Sequence, residues 1–178
     1  MDAKNSAAST PTTPSDRELV FTRVFDAPRE LVWKAHTECE HLVHWWGPKG
    51  FTMRSCKLDL RPGGIFHYCL RSPDGRDMWG KFIYREIVAP ERLVFIVSFS
   101  DEQAAVTRHP MSPAWPLETL STMTFAKDNG RTKLTVRWAP HNATQEECKT
   151  FAAGHDGMRQ GWGGTFDQLA DYLGKARG

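Results

Sequence analysis

Hydrophobic and polar residues alternate with a period of two in several segments between residues 19 and 138, a pattern typical of strands with one buried face. Short segments rich in Gly, Pro, Asn and Asp interrupt the alternation and predict turns. Because most of these interruptions are short, consecutive strands are expected to be antiparallel neighbours. The predicted strands, about seven in all, cover residues 19–25, 52–60, 65–71, 78–88, 92–100, 120–126 and 133–138.

The turn between the second and third predicted strands is Arg61-Pro62-Gly63-Gly64. In a hairpin closed by this turn Leu60 faces Ile65, and the same register places Cys56 opposite Cys69. The four cysteines of the chain show neither a C-x-x-C pairing nor the spacing of a disulfide framework. We therefore expect Cys56 and Cys69 to be buried thiols that act as small apolar residues.

Two short helices are predicted after the first strand, around residues 30–36 and 40–46. Asp26 is a candidate cap for the first helix, and Pro28 lies where its first turn would begin. Gly47-Pro48 ends the second helix, because proline disfavours helical geometry in the residue before it.

A helical period replaces the alternation near the C-terminus. Thr144, followed by two glutamates, predicts the start of a helix that runs to about residue 175 and spans ~45 Å. At ~100° per residue, four apolar residues fall within ~40° of one another. They are Phe151, Met158, Trp162 and Leu169. The residues that flank this apolar face are His155, Thr165, Phe166 and Tyr172.

Four glycines form a second line along the predicted helix: Gly154, Gly157, Gly161 and Gly164. Each interior glycine costs about 0.8–1 kcal/mol relative to alanine, so together they cost roughly 3–4 kcal/mol of helix stability. Close approach of another backbone is the structural interpretation, and it is the one we favour. Space for a ligand beside the apolar face is the functional interpretation.

Four segments, in this order, resemble a known family: FDAPRELVWKAHTECEHLVHWWGPKGF, DLRPGGIF, IVAPERLVF and GMRQGWGGTFDQLADYL. They are similar to the SRPBCC superfamily with its START-like helix-grip fold. Within that superfamily they resemble the branch homologous to the C-terminal domain of the activator of the 90-kDa heat-shock protein ATPase. The resemblance covers about residues 17–174.

The resemblance implies an α+β fold. In that fold a curved antiparallel sheet wraps around a long C-terminal helix, and two short helices follow the first strand. It also implies an apolar cavity between sheet and helix, which in the superfamily holds lipids, sterols, polyketides or hormones. Some members of the superfamily carry ligands, some are cyclases or dehydratases, and some are partners of chaperones.

Composition narrows the class of protein. The 178 residues are 40% hydrophobic with a net charge of +2, which suits one domain over residues 17–178 after a flexible Ser/Thr/Pro/Ala tail at residues 1–16. The mixed charges argue against nucleic-acid binding, and no stretch approaches the ~20 apolar residues of a membrane span. The start of the chain lacks the apolar region of a secretory signal, so we expect a cytoplasmic location.

The inward-facing strand residues and the apolar face of the helix supply a candidate ligand site. Most of its side chains are apolar and a few are polar, which is typical of small-molecule pockets. A solid aromatic core without a cavity would give the same set of side chains. The candidate residues are Phe66, Tyr68, Leu70, Trp79, Tyr84, Phe95, Val97, Phe99, Met123, Trp138, Phe151, His155, Met158, Trp162 and Phe166.

Seven tryptophans are the most unusual feature of the composition, and each receives a predicted place. Trp138 and Trp162 are expected to meet inside the domain, where the last strand faces the long helix. Trp79 and Trp115 are expected near the mouth of the cavity. The other three belong to the short helices that close one end: Trp33, Trp45 and Trp46.

Residues 101–117 contain three prolines and no apolar period, which predicts a long loop. It is either a lid over the cavity mouth or a surface excursion with Trp115 tucked down. Arg159, at the edge of the apolar face of the helix, either steers an anionic head group of a ligand or reaches solvent.

Candidate catalytic and metal-binding residues are few. The sequence has no nucleophile elbow, no H-E-x-x-H helix and no phosphate-binding glycine motif. One cluster could supply metal ligands, but it straddles the break between the two short helices, so solvated or capping histidines are the better interpretation. It consists of His36, Cys39, His41 and His44. We expect no cofactor and no metal.

Three functions are compatible with the sequence. The first is binding of a small hydrophobic ligand, lipid-like or aromatic, between the sheet and the helix. The second, implied by the resemblance, is a chaperone ATPase-activating partner domain; such co-chaperones usually carry an additional N-terminal domain, and a short tail in its place counts against this function. The third is a cyclase, dehydratase or hydrolase that uses His155 or a tyrosine as acid–base. We rank them in that order and lean against an enzyme.

Overall fold

The computed structural model describes residues 18–177, so the predicted tail at residues 1–16 lies outside the described residues. Within that range the strands and helices follow the predicted order, except that a two-residue strand is added and the predicted C-terminal helix is divided into two. The elements are β1 Leu19–Phe25, α1 Arg29–Thr37, α2 Cys39–Leu42, β2 Thr52–Leu58, β3 Ile65–Arg71, β4 Asp77–Val88, β5 Arg92–Ser100, β6 Val106–Thr107, β7 Glu118–Asp128, β8 Arg131–His141, α3 Gln145–Ala153 and α4 His155–Arg177.

All eight strands form one antiparallel sheet in the order β1-β8-β7-β5-β4-β3-β2, with β6 paired to the end of β5. The sheet, the C-terminal helix and the two short helices after β1 confirm the predicted fold class. None of the helices within residues 18–177 is both long and apolar enough to cross a membrane.

The core lies between α4 and the sheet face that carries the predicted inward residues. The C-terminal half of α4 buries Phe166, Leu169 and Leu173 almost completely. The ring of Phe166 lies 5.8 Å from the ring of Phe21 and 5.8 Å from that of Phe25, both on the edge strand β1. This half of the helix is therefore packed solidly against the sheet.

The short helices cover one end of the core, as the sequence predicts for their tryptophans. Trp33 on α1 meets Phe125 of β7 edge to face at 5.3 Å. The indole N–H of Trp45 donates to the Ala35 carbonyl at 2.9 Å, which holds the segment after α2 against α1. The N-cap residue of α1 is Pro28, two residues after the predicted Asp26.

The β2–β3 hairpin differs from the prediction by one residue of register. Cys56 pairs with Tyr68, and it is Ser55 that lies opposite Cys69, after a β-bulge between Met53 and Ser55. The register differs because the turn is longer than the predicted four residues. β2 ends at Leu58, and the Asp59 N–H donates to the Ile65 carbonyl at 3.0 Å across the loop.

The expectation for Cys56 is also wrong. Cys56 forms a disulfide with Cys39 at the start of α2, across a separation of 17 residues, while Cys69 and Cys148 are free. The shifted register turns Cys56 toward the side on which α2 lies. The disulfide thus fastens α2 to the edge strand β2.

The predicted single helix at residues 144–175 is two helices. Thr144 begins α3 as expected, since its hydroxyl accepts the Glu147 N–H at 3.1 Å. At Gly154 the chain tightens, because the Gly154 N–H donates to both the Thr150 and Phe151 carbonyls at 3.1 Å. A glycine at this point allows the break between α3 and α4, and the ring of Trp115 packs against it.

His36 is the most deeply buried histidine of the core. Its Nδ1–H donates to the Val32 carbonyl at 2.8 Å, and aromatic rings of Trp45 and Phe125 surround it at 4.9 and 5.1 Å. Its Nε2 has no hydrogen-bond partner among the described residues. Burial lowers the pKa of His36 from 6.5 to about 4, although the bond to Val32 opposes that shift.

The lowered pKa of His36 predicts that acid destabilises the fold. The unfolded chain takes up this proton as pH falls through 6.5, whereas the folded chain stays neutral until about pH 4. Stability present above pH 6.5 is therefore lost on acidification, by about 2 kcal/mol between pH 7 and pH 5. Denaturant unfolding at the two pH values, in the protein and in a His36→Leu variant, isolates this contribution. Equal pH dependence in both proteins would contradict the assignment.

Reduction of the disulfide should also destabilise the protein. In the chain-entropy account, a cross-link over a loop of this size contributes about 3 kcal/mol by restricting the unfolded chain. The measurement is the free energy of unfolding with and without a dithiol reductant, with thiols counted to verify reduction. A Cys39→Ser, Cys56→Ser double variant is the control, and its stability should not respond to the reductant. An unchanged stability of the reduced parent chain would count against the cross-link.

Candidate ligand-binding site

A cavity of about 570 Å³ lies between the sheet and the N-terminal half of α4. The sheet supplies its floor through β3, β4, β5, β7 and β8, and α4 supplies one wall through Met158 and Trp162. Gly157 and Gly161 border the cavity and are themselves exposed, so its mouth runs along their side of α4. The domain is therefore hollow in this half and solid in the other.

Ten of the fifteen predicted ligand-binding residues border this cavity. They are Tyr68, Leu70, Trp79, Phe95, Val97, Phe99, Met123, Trp138, Met158 and Trp162. The other five do not border it, and they are Phe66, Tyr84, Phe151, His155 and Phe166. Four of these five are fully buried in the layer of rings behind the walls, whereas His155 is half-buried at the start of α4 and packs on Phe151 at 5.3 Å.

The indole of Trp138 is fixed on three sides. Its N–H donates to the Thr119 hydroxyl at 2.7 Å. Its ring meets Trp162 edge to face at 5.8 Å and Phe151 edge to face at 5.7 Å. The predicted meeting of Trp138 and Trp162 is thus confirmed, and the contact joins β8 to α4 at the cavity wall.

The glycine line of α4 leaves space. A Cβ added at Gly157, Gly161 or Gly164 would meet nothing within 4 Å, whereas one added at Gly154 would lie 3.3 Å from the ring of Trp115. The favoured interpretation, close approach of another backbone, is therefore wrong at these positions. A different glycine is tightly enclosed: a Cβ at Gly80 on β4 would lie 2.6 Å from Cζ of Tyr68. The tyrosine ring fills the space beside Gly80.

The predicted loop at residues 101–117 has two parts. The first contains β6 and lies against the opposite face of the sheet, where the Lys81 ammonium donates to the Ala104 carbonyl at 2.7 Å. The second part borders the cavity through His109 and Trp115. The ring of Trp115 packs on the ring of Phe151 at 5.4 Å, so Trp115 is tucked down against α3. It also forms part of the cavity wall.

Glu147 of α3 anchors the second part of this loop. Its carboxylate accepts the Leu117 N–H at 3.2 Å and lies 3.6 Å from the Arg108 guanidinium. A second anchor holds the loop after α2: the Gly47 carbonyl accepts from Thr165 at 3.2 Å and from Gln168 at 2.8 Å, both on α4. These contacts fix two segments of the cavity rim to the C-terminal helices.

The walls of the cavity carry no formal charge. Of the described residues that border it, none is Asp, Glu, Lys or Arg. Burial raises the pKa of Tyr68 to about 12, against the effect of a hydrogen bond from Trp46, and burial lowers the pKa of His109. Both side chains are therefore neutral at pH 7.

Several residues that border the cavity escaped the sequence prediction, among them Thr119, Ser121 and Trp46. Thr119 borders the cavity because β7 begins at Glu118, two residues earlier than predicted. Ser121 lies within the predicted strand, and both residues share the face of Met123. Their period-two spacing before Met123 is the signal that identifies them. Trp46, predicted only as part of the closed end, also borders the cavity.

The candidate metal residues do not converge. His41 bonds to the Tyr172 hydroxyl at 2.6 Å, His44 stacks on the same ring at 5.2 Å, and Cys39 is in the disulfide. In the part of the chain that the structure describes, no group of three or more His, Cys, Asp or Glu side chains is placed to hold a metal ion. His41 and His44 instead join the α2 region to α4.

An antiparallel sheet that packs on a long C-terminal helix and encloses an apolar cavity defines the class of helix-grip proteins. The model of one family, described as Activator of Hsp90 ATPase homolog 1-like protein, matches residues 26–174. The chain belongs to this family. None of the proteins with curated descriptions matches the sequence at a significant level.

Solved structures share the fold. A protein from Nitrosomonas europaea is 25% identical, with 92% of this chain and 97% of that chain covered and a TM-score of 0.72. A protein from Arthrobacter aurescens is 24% identical, with 92% and 89% covered and a TM-score of 0.75. The AHSA1 protein from Silicibacter pomeroyi is 16% identical, with 89% and 99% covered and a TM-score of 0.69.

The space around the helix glycines predicts that alanine stabilises the protein there. Gly157→Ala and Gly161→Ala should each raise the free energy of unfolding by about 0.8–1 kcal/mol, since the new methyl groups meet no atom. Gly80→Ala should lower it by about 1–3 kcal/mol, because the methyl group collides with the Tyr68 ring. Denaturant unfolding of the three variants measures the predicted gain in the free energy of unfolding for the two helix variants and the predicted loss for Gly80→Ala. A loss of stability in the two helix variants would show that the space is not there.

Proposed function

We propose that this protein binds a small hydrophobic ligand, aromatic or lipid-like, in the cavity between the sheet and α4. The cavity volume of about 570 Å³ lies within the range of small-molecule sites, and its walls are mainly apolar and aromatic with few polar groups. The ten predicted residues that border the cavity are the proposed ligand contacts.

The open glycine line is the observation that carries the proposal. Gly157 and Gly161 together weaken α4 by about 2 kcal/mol relative to alanine, although alanine would fit at both positions. No packing contact in the described residues requires glycine there. Access to the cavity does require glycine at these two positions, because any side chain there would narrow the mouth.

In this proposal the segment from His109 to Leu117 is a lid over the cavity. Trp115 and His109 form its inner surface, and its contacts with Glu147 hold it closed.

The expected cytoplasmic location stays a prediction. The Cys39–Cys56 disulfide does not favour it, since disulfides are rare in reducing compartments.

The site geometry favours binding over turnover. General acid–base catalysis needs a positioned group with a pKa near the working pH, and it is commonly oriented by a partner. Tyr68 and His109 are the ionisable side chains among the described residues at the cavity, and their pKa values shift away from neutrality in opposite directions. His155, the predicted acid–base candidate, does not border the cavity.

The chaperone-partner function is supported by the description of the family that the chain matches. It would use an outer surface rather than the cavity. No feature of the described residues favours it, so we place ligand binding first.

The experiment is a titration with Nile red, a neutral apolar dye, followed by its fluorescence and by quenching of tryptophan emission. The protein should bind the dye saturably. Gly161→Leu should weaken binding at least tenfold, because its side chain occupies the mouth. Gly164→Leu is the matched control, since it lies on the same helix, meets no neighbour and does not border the cavity, and it should bind like the parent protein.

Two results would contradict the proposal. One is the absence of saturable binding to the parent protein. The other is equal dye affinity in the parent, Gly161→Leu and Gly164→Leu proteins, which would place the dye outside the cavity.

A further inference from the structure

The electrostatics of the cavity restrict the ligand beyond its being hydrophobic. The described residues that border it include no acidic or basic side chain. A charged group enclosed here would lose its hydration without gaining an opposite charge, and an unpaired buried charge is strongly unfavourable. The walls therefore select against an ionised ligand group.

Two arginines that are candidate partners for an anion are already engaged. Arg159, which the sequence offered as a partner for an anionic head group, donates to the Val20 carbonyl at 3.0 Å. Arg108 at the start of the rim segment lies 3.6 Å from the Glu147 carboxylate. An anion at the mouth would have to displace one of these contacts, so neither arginine compensates for the uncharged walls.

Two hydroxyl groups give the cavity floor a local polarity. The Thr119 oxygen accepts the Trp138 N–H at 2.7 Å, which leaves the Thr119 O–H free to donate in turn. Ser121 is the next inward residue of β7 and lies between Phe95 and Trp138 on the neighbouring strands. It is 4% exposed and borders the cavity, and no described residue engages its hydroxyl.

A buried hydroxyl that borders a cavity and lacks a partner stabilises a ligand that can hydrogen-bond to it. Thr119 offers a second donor two residues away on the same face of β7, so a ligand oxygen that accepts hydrogen bonds finds a donor in either hydroxyl. The surrounding aromatic rings accommodate a flat apolar body.

We infer that the cavity is specific for uncharged ligands that carry a hydrogen-bond acceptor, such as a ketone or ether oxygen, directed at Ser121 and Thr119. Free carboxylates and sulfonates of the same shape are excluded. This inference rests on the proposed function, because it specifies the ligand class of the same cavity.

Three matched probes separate the requirements: 2-acetylnaphthalene is neutral with an acceptor, 2-ethylnaphthalene is neutral without one, and 2-naphthoate is anionic at neutral pH. Each is measured by displacement of Nile red from the parent protein and from Ser121→Ala. The acetyl compound should bind at least tenfold more tightly than the naphthoate. Ser121→Ala should weaken the acetyl compound about fivefold, the value of one hydrogen bond, and leave the ethyl compound unchanged.

Ser100→Ala is the matched control. Ser100 is 8% exposed, and its hydroxyl also has no partner among the described residues, but it does not border the cavity. The affinities of all three probes for this variant should equal those for the parent protein.

The outcomes distinguish the inference from the proposed function. If Nile red binds but the naphthoate displaces it as well as the acetyl compound does, the uncharged-ligand inference is wrong while the cavity still binds. If Ser121→Ala changes the affinities for the acetyl and ethyl compounds equally, or changes neither, the acceptor requirement is wrong. If Nile red does not bind at all, the proposed function fails and the inference fails with it.

Discussion

One constraint governs this domain: only the C-terminal half of the long helix packs tightly against the inner face of the sheet. The C-terminal half of α4, with Phe166, Leu169 and Leu173, is buried to 2% exposure or less and leaves no space against the sheet. The N-terminal half presents Gly157 and Gly161 instead, and the sheet opposite them remains uncovered on that side. The cavity is the direct consequence of this change of side chains along one helix.

The same low-dielectric interior explains the behaviour of the titratable groups. Burial removes hydration from the charged form of each group, so the pKa of His36 falls to about 4 while the pKa of Tyr68 rises to about 12. His36 lies in the solid half of the core and Tyr68 borders the hollow half. A charge is disfavoured in both places for one reason, which links the acid sensitivity of the fold to the neutrality of the site.

Periodicity predicted much of the fold and of the cavity wall, because it reports which face of a strand or helix is buried. It assigned Trp138 and Trp162 to facing surfaces, and their rings meet at 5.8 Å. It could not report how far apart two facing surfaces lie, so Phe151 and Phe166 were predicted as cavity residues although they pack behind the wall. The empty space at Gly157 and Gly161 has the same origin, since a sequence does not show what a missing side chain would touch.

Other differences arise where the chain departs from a regular period. The bulge between Met53 and Ser55 and the early end of β2 shift the hairpin register by one residue. That shift decides which side Cys56 faces, and the Cys39–Cys56 disulfide joins elements whose proximity depends on tertiary packing. The start of β7 at Glu118 adds Thr119 to the site by the same kind of boundary change.

The central claim is that a ligand occupies the hollow half of the domain and leaves the solid half unchanged. The indole N–H resonances of the seven tryptophans report on both halves in one nitrogen–proton correlation spectrum. On titration with 2-acetylnaphthalene, the resonances of Trp46, Trp138 and Trp162 should shift, because these side chains border the cavity. Those of Trp33 and Trp45 should stay fixed, since they pack on Phe125 and Ala35 behind the wall. Shifts confined to Trp33 and Trp45, or no shift at all, would contradict the account.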